Sequence, residues 1–459
     1  MSTTTTAPAP GASEHDHLTA TSPAPQPRVL LRLATAGSVD DGKSTLVGRL
    51  LHDSKSILAD QLADVARVSE ARGLEHVDLA LLTDGLRAER EQGITIDVAY
   101  RYFATAKRSY ILADCPGHVQ YTRNTVTGSS TADVLVLLID ARHGVLEQTR
   151  RHLAVAALLR VPQVVVAVNK IDLVGYDRTV YEKVAAEVRA VSAGLGIEDI
   201  TTIPTAALTG DNIVHTSDTM SWYHGPSLLQ LLDGMLPSTD PVEGFRFPVQ
   251  LVLRPQSSAL DPRQIEYRGY AGQLTAGQVH VGDEVVVLPS GLSSRIAGID
   301  LAGRQLDSAV AGQSVALRLT DDIDAPRGSL ISSAADAPRP VTTLDAMVCW
   351  VAEQPLQVGS RVLLKHGSTT VKAVVDQIKG RLDLATMSPA PAQALALNDI
   401  GRISVRLAGP VMAESYLETR HGGAFVLVDP QSGWTLAAGM VRGHEAFGDS
   451  FTPPDDWQI

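Results

Sequence analysis

Three short stretches of this chain carry residues that could handle a nucleoside triphosphate. Gly37-Ser38-Val39-Asp40-Asp41-Gly42-Lys43-Ser44, followed by Thr45, fits the G-x-x-x-x-G-K-[ST] phosphate loop. Backbone N–H groups can close around an anion only where no side chain intrudes, and Gly37 and Gly42 supply that freedom. Lys43 then reaches the β- and γ-phosphates, and the Ser44 hydroxyl ligates Mg2+. Further on, Asp114-Cys115-Pro116-Gly117-His118 offers a carboxylate that can hold the Mg2+ shell through water. Its Gly117 N–H can bond the γ-phosphate, so hydrolysis would release the loop. Asn169-Lys170-Ile171-Asp172 offers a carboxylate able to accept two N–H donors from one edge of guanine. Adenine presents no such pair, and leaving that carboxylate unpaired rejects the wrong base. In this order, each at a strand end, the three stretches define a GTPase.

The elements that must position them are legible as patterns. A phosphate loop needs a strand before it and a helix N-terminus after it, where free N–H groups and the helix dipole attract phosphate. The apolar run 29–36 reads as that strand, and 44–51, with Leu46, Leu50 and Leu51 on one face, reads as that helix. Further strands are expected at 110–114, 134–140, 164–169 and near Ile203, and helices at 57–69, 147–159 and 180–193. The strands are near-continuous Val, Ile and Leu, as in a sheet buried on both faces. Past about 241 the texture changes to short β-branched runs between Gly- and Asp-bearing turns. The expected architecture is an α/β P-loop GTPase domain with a mostly parallel sheet, followed by two small antiparallel β-barrels. We place a disordered tail at 1–27, the GTP-binding domain at 28–240, the first barrel at 241–337, the second at 338–443 and a C-terminal tail at 444–459.

Composition narrows the function classes. With 459 residues there is ample chain for several cores, and the net charge of −12 disfavours a broad nucleic-acid-binding face. Two cysteines, Cys115 and Cys349, make neither a disulfide framework nor a zinc cluster. No run is apolar enough to span a membrane, and residues 1–27 lack the features of a secretory signal, so a cytoplasmic protein is expected.

The sequence also resembles the translational-factor GTPases, whose switch I reads Gly-Ile-Thr-Ile, here Gly93-Ile94-Thr95-Ile96, and whose switch II reads Asp-Cys-Pro-Gly-His, here Asp114 to His118. The resemblance implies that Thr95 ligates Mg2+ and that His118 positions the attacking water. Within that group the chain is most similar to the GTPase subunit of the two-subunit bacterial sulfate adenylyltransferase. The long stretch Asp84-Gly85-Leu86-Arg87-Ala88-Glu89-Arg90-Glu91-Gln92 leading into switch I carries this, with Gln120-Tyr121-Thr122-Arg123-Asn124, Gly210-Asp211-Asn212-Ile213 and Trp222-Tyr223-His224-Gly225-Pro226. By that resemblance a smaller partner subunit makes adenylyl sulfate and pyrophosphate from ATP and sulfate, in sulfate assimilation, and GTP hydrolysis in this chain drives it. Tyr121 to Asn124 and Trp222-Tyr223 are candidate partner contacts. The family's guanine loop usually reads Ser-Ala-Leu or Ser-Ala-Lys but is Ala206-Ala207-Leu208 here, with the Ala207 N–H expected to meet guanine O6. No second phosphate loop follows, so the adenylylsulfate kinase activity appended in some relatives is not expected. The other reading is an elongation-factor-like GTPase delivering aminoacyl-tRNA, which shares the G domain, the barrels and His118.

Overall fold

The computed structural model describes residues 29–55, 57, 59–71, 77, 79–82, 97–197, 199–237, 244–256 and 265–442. Both tails, the 240/241 boundary and Thr95 with the rest of the Gly93–Ile96 motif lie outside these residues.

The first domain is a six-stranded sheet in the order β2-β3-β1-β4-β5-β6. Its strands are β1 (Val29–Ala36), β2 (Ala99–Ala104), β3 (Arg108–Asp114), β4 (Val134–Asp140), β5 (Gln163–Asn169) and β6 (Ile200–Pro204). From β3 to β6 the pairing is parallel, and β2 alone runs antiparallel, on β3. Every residue of β4 is buried, as an uninterrupted apolar run at the middle of a doubly covered sheet requires. The helices are α1 (Lys43–Asp53), α2 (Ala59–Ala71), α3 (Thr122–Ser129), α4 (Glu147–Leu158), α5 (Arg178–Gly194) and α6 (Leu228–Gly234). On one face of the sheet Leu46 and Leu50 of α1 pack with Leu228 and Leu232 of α6. On the other, Leu153 and Leu158 of α4 pack with Val184 and Val188 of α5. Caps fit the sequence: the Asp177 carboxylate accepts from the Thr179 N–H, and Ser227 forms a reciprocal box with Gln230.

Strands 246–248 and 251–253 behave as one interrupted strand. The first piece pairs with Leu330–Ser333 and the second with Gly269–Gln273, which closes the first barrel around Phe247, Tyr270 and Leu317. Leu330–Ser333 belongs to this barrel and Val341–Trp350 to the next. In the second barrel the order runs from Arg361–His366 through Ala424–Val428, Thr435–Val441, Val341–Trp350 and Ile400–Val411 to Thr369–Asp383, which pairs back on Arg361–His366. That return closes the ring.

The three domains are joined by two different seams. Between the barrels, the buried Arg246 guanidinium donates to Glu414 at 2.9 Å and Asp336 at 3.1 Å. Between the G domain and the second barrel an apolar patch is bordered by hydrogen bonds from Arg160 to the Tyr416 and Leu417 carbonyls and from Arg420 to the Ser130 carbonyl. Leu158 and Leu159 of the α4 end share a core with Met347, Cys349, Tyr416 and Met440. The Tyr416 hydroxyl donates to the Leu159 carbonyl at 2.9 Å.

Candidate functional site

β1 delivers the chain into the phosphate loop, and α1 begins at Lys43 with Gly42 in the left-handed region at φ 94°. A Cβ on Gly42 would lie 2.4 Å from Asn169 Nδ2, so this position requires glycine twice over. Lys43 is buried and donates to the carbonyls of Gly37 at 2.9 Å and Ser38 at 2.7 Å. Burial pulls its pKa down, against the opposing pull of Asp41 and Asp114. Asp41 accepts from the Ser38 N–H at 2.6 Å, and burial raises its carboxyl. Val39 and Asp40 are exposed at the loop tip, and Thr45 is half-buried on α1.

Switch II sits directly on this loop. Asp114 ends β3 and accepts from Thr35 Oγ1 at 2.9 Å, while the Cys115 N–H donates to the same hydroxyl at 3.3 Å. Thr35 therefore ties β1 to the switch, a role its position in an apolar strand did not signal. The Cys115 thiol is fully buried and its pKa is pushed up by that burial, so Cys115 is a packing residue beneath the loop. The Pro116 carbonyl accepts from Thr125 Oγ1 at 3.2 Å, which pins the loop to α3. A Cβ on Gly117 would fall 2.3 Å from Lys43 Nζ, so glycine here is what brings switch II against the lysine. His118 is half-buried and its Nδ1 accepts from the Gln120 N–H at 3.2 Å. That bond places the proton of the neutral ring on Nε2, which makes the free edge a donor.

The base pocket comes from the ends of β5 and β6. Asn169 is a brace: Nδ2 donates to the Asp41 carbonyl at 2.8 Å, and Oδ1 accepts from the Ala207 N–H at 2.9 Å. The Ala207 N–H that the sequence assigned to guanine O6 is thus engaged within the protein. Lys170, at φ 59°, reaches back to Asp140 at 3.1 Å. Burial alone would raise the Asp140 carboxyl, but hydrogen bonds from Arg142 and Lys170 outweigh it and hold it well below the usual carboxylate range. Asp140 ends β4 and could have been found by the rule that places chemistry at strand ends. Asp172 is half-buried in the turn Ile171–Val174, Ala206 is fully buried and Leu208 is exposed. The Gly210 N–H donates to the Ala206 carbonyl at 2.8 Å, so backbone bonding holds the loop without a hydroxyl at 206.

The residues fit a triphosphate and a hard cation. The Ser38 hydroxyl is buried with no hydrogen-bond partner, and an ammonium is folded back on the loop's own carbonyls. Ser44 and Asp114 are oxygen donors of the kind Mg2+ takes. Trp222 and Tyr223 pack inward: the Trp222 indole donates to the Tyr176 carbonyl at 3.0 Å, and both rings stand against Tyr181. Arg123, on α3, lies over the exposed Trp434 ring of the second barrel at 5.7 Å.

One buried group had no signal in the sequence. His152 on α4 is inaccessible, contacts Gln148 at 3.3 Å, and has its pKa lowered to about 3, first by burial and then by Lys43. Burial likewise lowers His366 of the second barrel, which bonds the Gly422 carbonyl at 2.7 Å. Below the ordinary value of 6.5 the unfolded chain takes up protons that these folded rings refuse. For His152, stability is therefore expected to fall as pH drops from 6.5 toward 3, by up to about 1.4 kcal/mol per pH unit. Urea unfolding across that window checks this, and His152→Gln should flatten the slope; an unaltered slope would remove His152 as its source.

Comparison with known proteins places this geometry. The Elongation factor Tu GTP binding domain family matches residues 28–238, and the GTP-eEF1A C-terminal domain-like family matches 343–442. The chain is 49% identical to the "Bifunctional enzyme CysN/CysC" of Mycobacterium tuberculosis, over 90% of this chain and 67% of that protein. It is 47% identical to "Sulfate adenylyltransferase subunit 1" of Cellvibrio japonicus, over 90% of this chain and 86% of that one. The protein of the same name in Laribacter hongkongensis is 46% identical, over 91% and 86%.

Proposed function

We infer function from one premise: this chain belongs to the sulfate adenylyltransferase subunit 1 family, within the superfamily of translational GTPases. It is the GTP-binding, GTP-hydrolysing subunit of a sulfate adenylyltransferase. The observation that carries this is an identity near one half over 90% of the chain, barrels included, rather than over the G domain alone. The same observation sets aside the tRNA-delivering reading.

The finer assignments are our proposals. A smaller catalytic subunit joins ATP and sulfate, in the cytoplasm, and GTP turnover here drives that unfavourable step. On nucleotide binding Lys43 leaves the Gly37 and Ser38 carbonyls for the β- and γ-phosphates, and the loop's N–H groups, with the N-terminus of α1, take the remaining oxygens. Ser44, Asp114 (through water) and Thr95 would hold Mg2+, which would supply neutralisation of the phosphate charge. Gly117 reads the γ-phosphate by its N–H, and His118 orients the attacking water from Nε2. Lys170 and Leu208 flank the base, and Asp172 accepts its N–H pair. A switch couples two reactions only if its two states contact the partner with different affinity.

Co-expression with the smaller subunit tests the reading. Purified complex should form adenylyl sulfate from ATP and sulfate far faster with GTP than with a non-hydrolysable analogue. Equal rates with and without GTP, or co-purification of aminoacyl-tRNA in place of a protein partner, would overturn it.

A further inference from the structure

Arg49 lies on α1, six residues beyond Lys43 and outside the phosphate-loop motif. Its side chain is 19% exposed. The guanidinium crosses to the base loop and donates to two successive carbonyls, Ala207 O from Nε at 3.3 Å and Leu208 O from Nη2. Gly210, at φ 93°, turns the loop back so that it lies against the Arg49 stem. In a trans peptide unit the C=O of one residue and the N–H of the next point in opposite directions. Holding the Ala207 carbonyl toward α1 therefore turns the Leu208 N–H away from α1. The preceding donor is already committed, because the Ala207 N–H is bonded to Asn169 Oδ1 at 2.9 Å.

We propose that Arg49 is a positioning residue for base selection: it orients the base loop so that the Leu208 N–H becomes the donor for guanine O6. Adenine carries an amino group where guanine has O6, so a fixed donor would face another donor and reject it. The guanidinium adds two charge-assisted bonds to the backbone bond from Gly210 that already holds this loop. The proposal rests on GTP binding at this site and not on which reaction the GTPase drives, so a failed adenylyl sulfate assay would leave it standing.

The test is competition binding of GDP and ADP to the full chain, for the natural sequence, R49M and R49K. In R49M the affinity for GDP should fall about tenfold, the scale set by losing bonds to a charged donor, while weak ADP binding stays unchanged. R49K keeps the charge but lacks the fork, reaches one carbonyl at most, and should recover part of the loss. A parallel fall for GDP and ADP would place the damage in α1 and the phosphate loop and overturn the assignment, as would an unchanged GDP affinity. Should R49M fail to fold, R49K carries the test alone: a loss confined to GDP supports the role, and wild-type GDP affinity removes it.

Discussion

Replacing Asp172 by Asn is expected to turn the nucleotide preference from guanine toward xanthine. The carboxylate sits in the turn that follows β5, and the proposed partners of its two oxygens are the ring N–H and the 2-amino group of guanine. An amide offers one oxygen and one NH2, so one of those donors meets another donor, and a site built for a polar match rejects a mismatch by orders of magnitude. Xanthine, with a carbonyl at that position, restores the pairing. Affinity for GDP should drop by roughly a hundredfold or more, with XDP gaining in proportion. Asn169 and Lys170 are held by Asp41, Ala207 and Asp140 independently of Asp172, so the pocket's frame stays intact in the variant. Unchanged GDP affinity would place the base elsewhere.

His118→Ala should keep GTP binding and slow hydrolysis by about 10^2 to 10^4-fold, the range for loss of a positioned proton-handling group. The geometry sharpens this expectation. With Nδ1 accepting from the Gln120 N–H, the ring presents an Nε2 donor to the site rather than a free base. His118→Gln, whose amide also donates, should therefore retain more activity than the alanine variant. Single-turnover hydrolysis of prebound GTP separates the variants from any binding defect. Equal loss in both would favour proton abstraction by the ring over orientation, and normal turnover in both would return His118 to a purely structural part.

Much of this is legible in the amino-acid sequence. The phosphate loop, switch II and the Asn169–Asp172 turn each fall at a strand end because a parallel sheet presents its C-terminal edge to ligand, and the strands themselves are continuous apolar runs. What escaped reading had a physical reason in each case. β2 alternates exposed Tyr100 and Tyr102 with less exposed neighbours at the sheet edge, so its pattern carries no buried run. α3 is eight residues rich in Thr and is held by contacts rather than by propensity. Thr35 and Arg49 work through partners distant in sequence, and no local motif announces such partners. Asn169 shows the converse: its motif was visible, but its part as a brace between the phosphate and base loops needed the geometry.

The apolar patch between α4 and the second barrel has a calorimetric consequence. The barrels are fastened to each other by the Arg246, Glu414 and Asp336 cluster, so a rearrangement that carries them off the G domain as one body must hydrate Leu158, Leu159, Met347, Tyr416 and Met440. Exposing such surface raises heat capacity. Exchange of GDP for a GTP analogue, titrated at several temperatures, would then show an enthalpy that varies steeply with temperature. A nucleotide response confined to the switches would leave that enthalpy nearly flat, and the thermogram alone would tell a moving lever from a flexing loop.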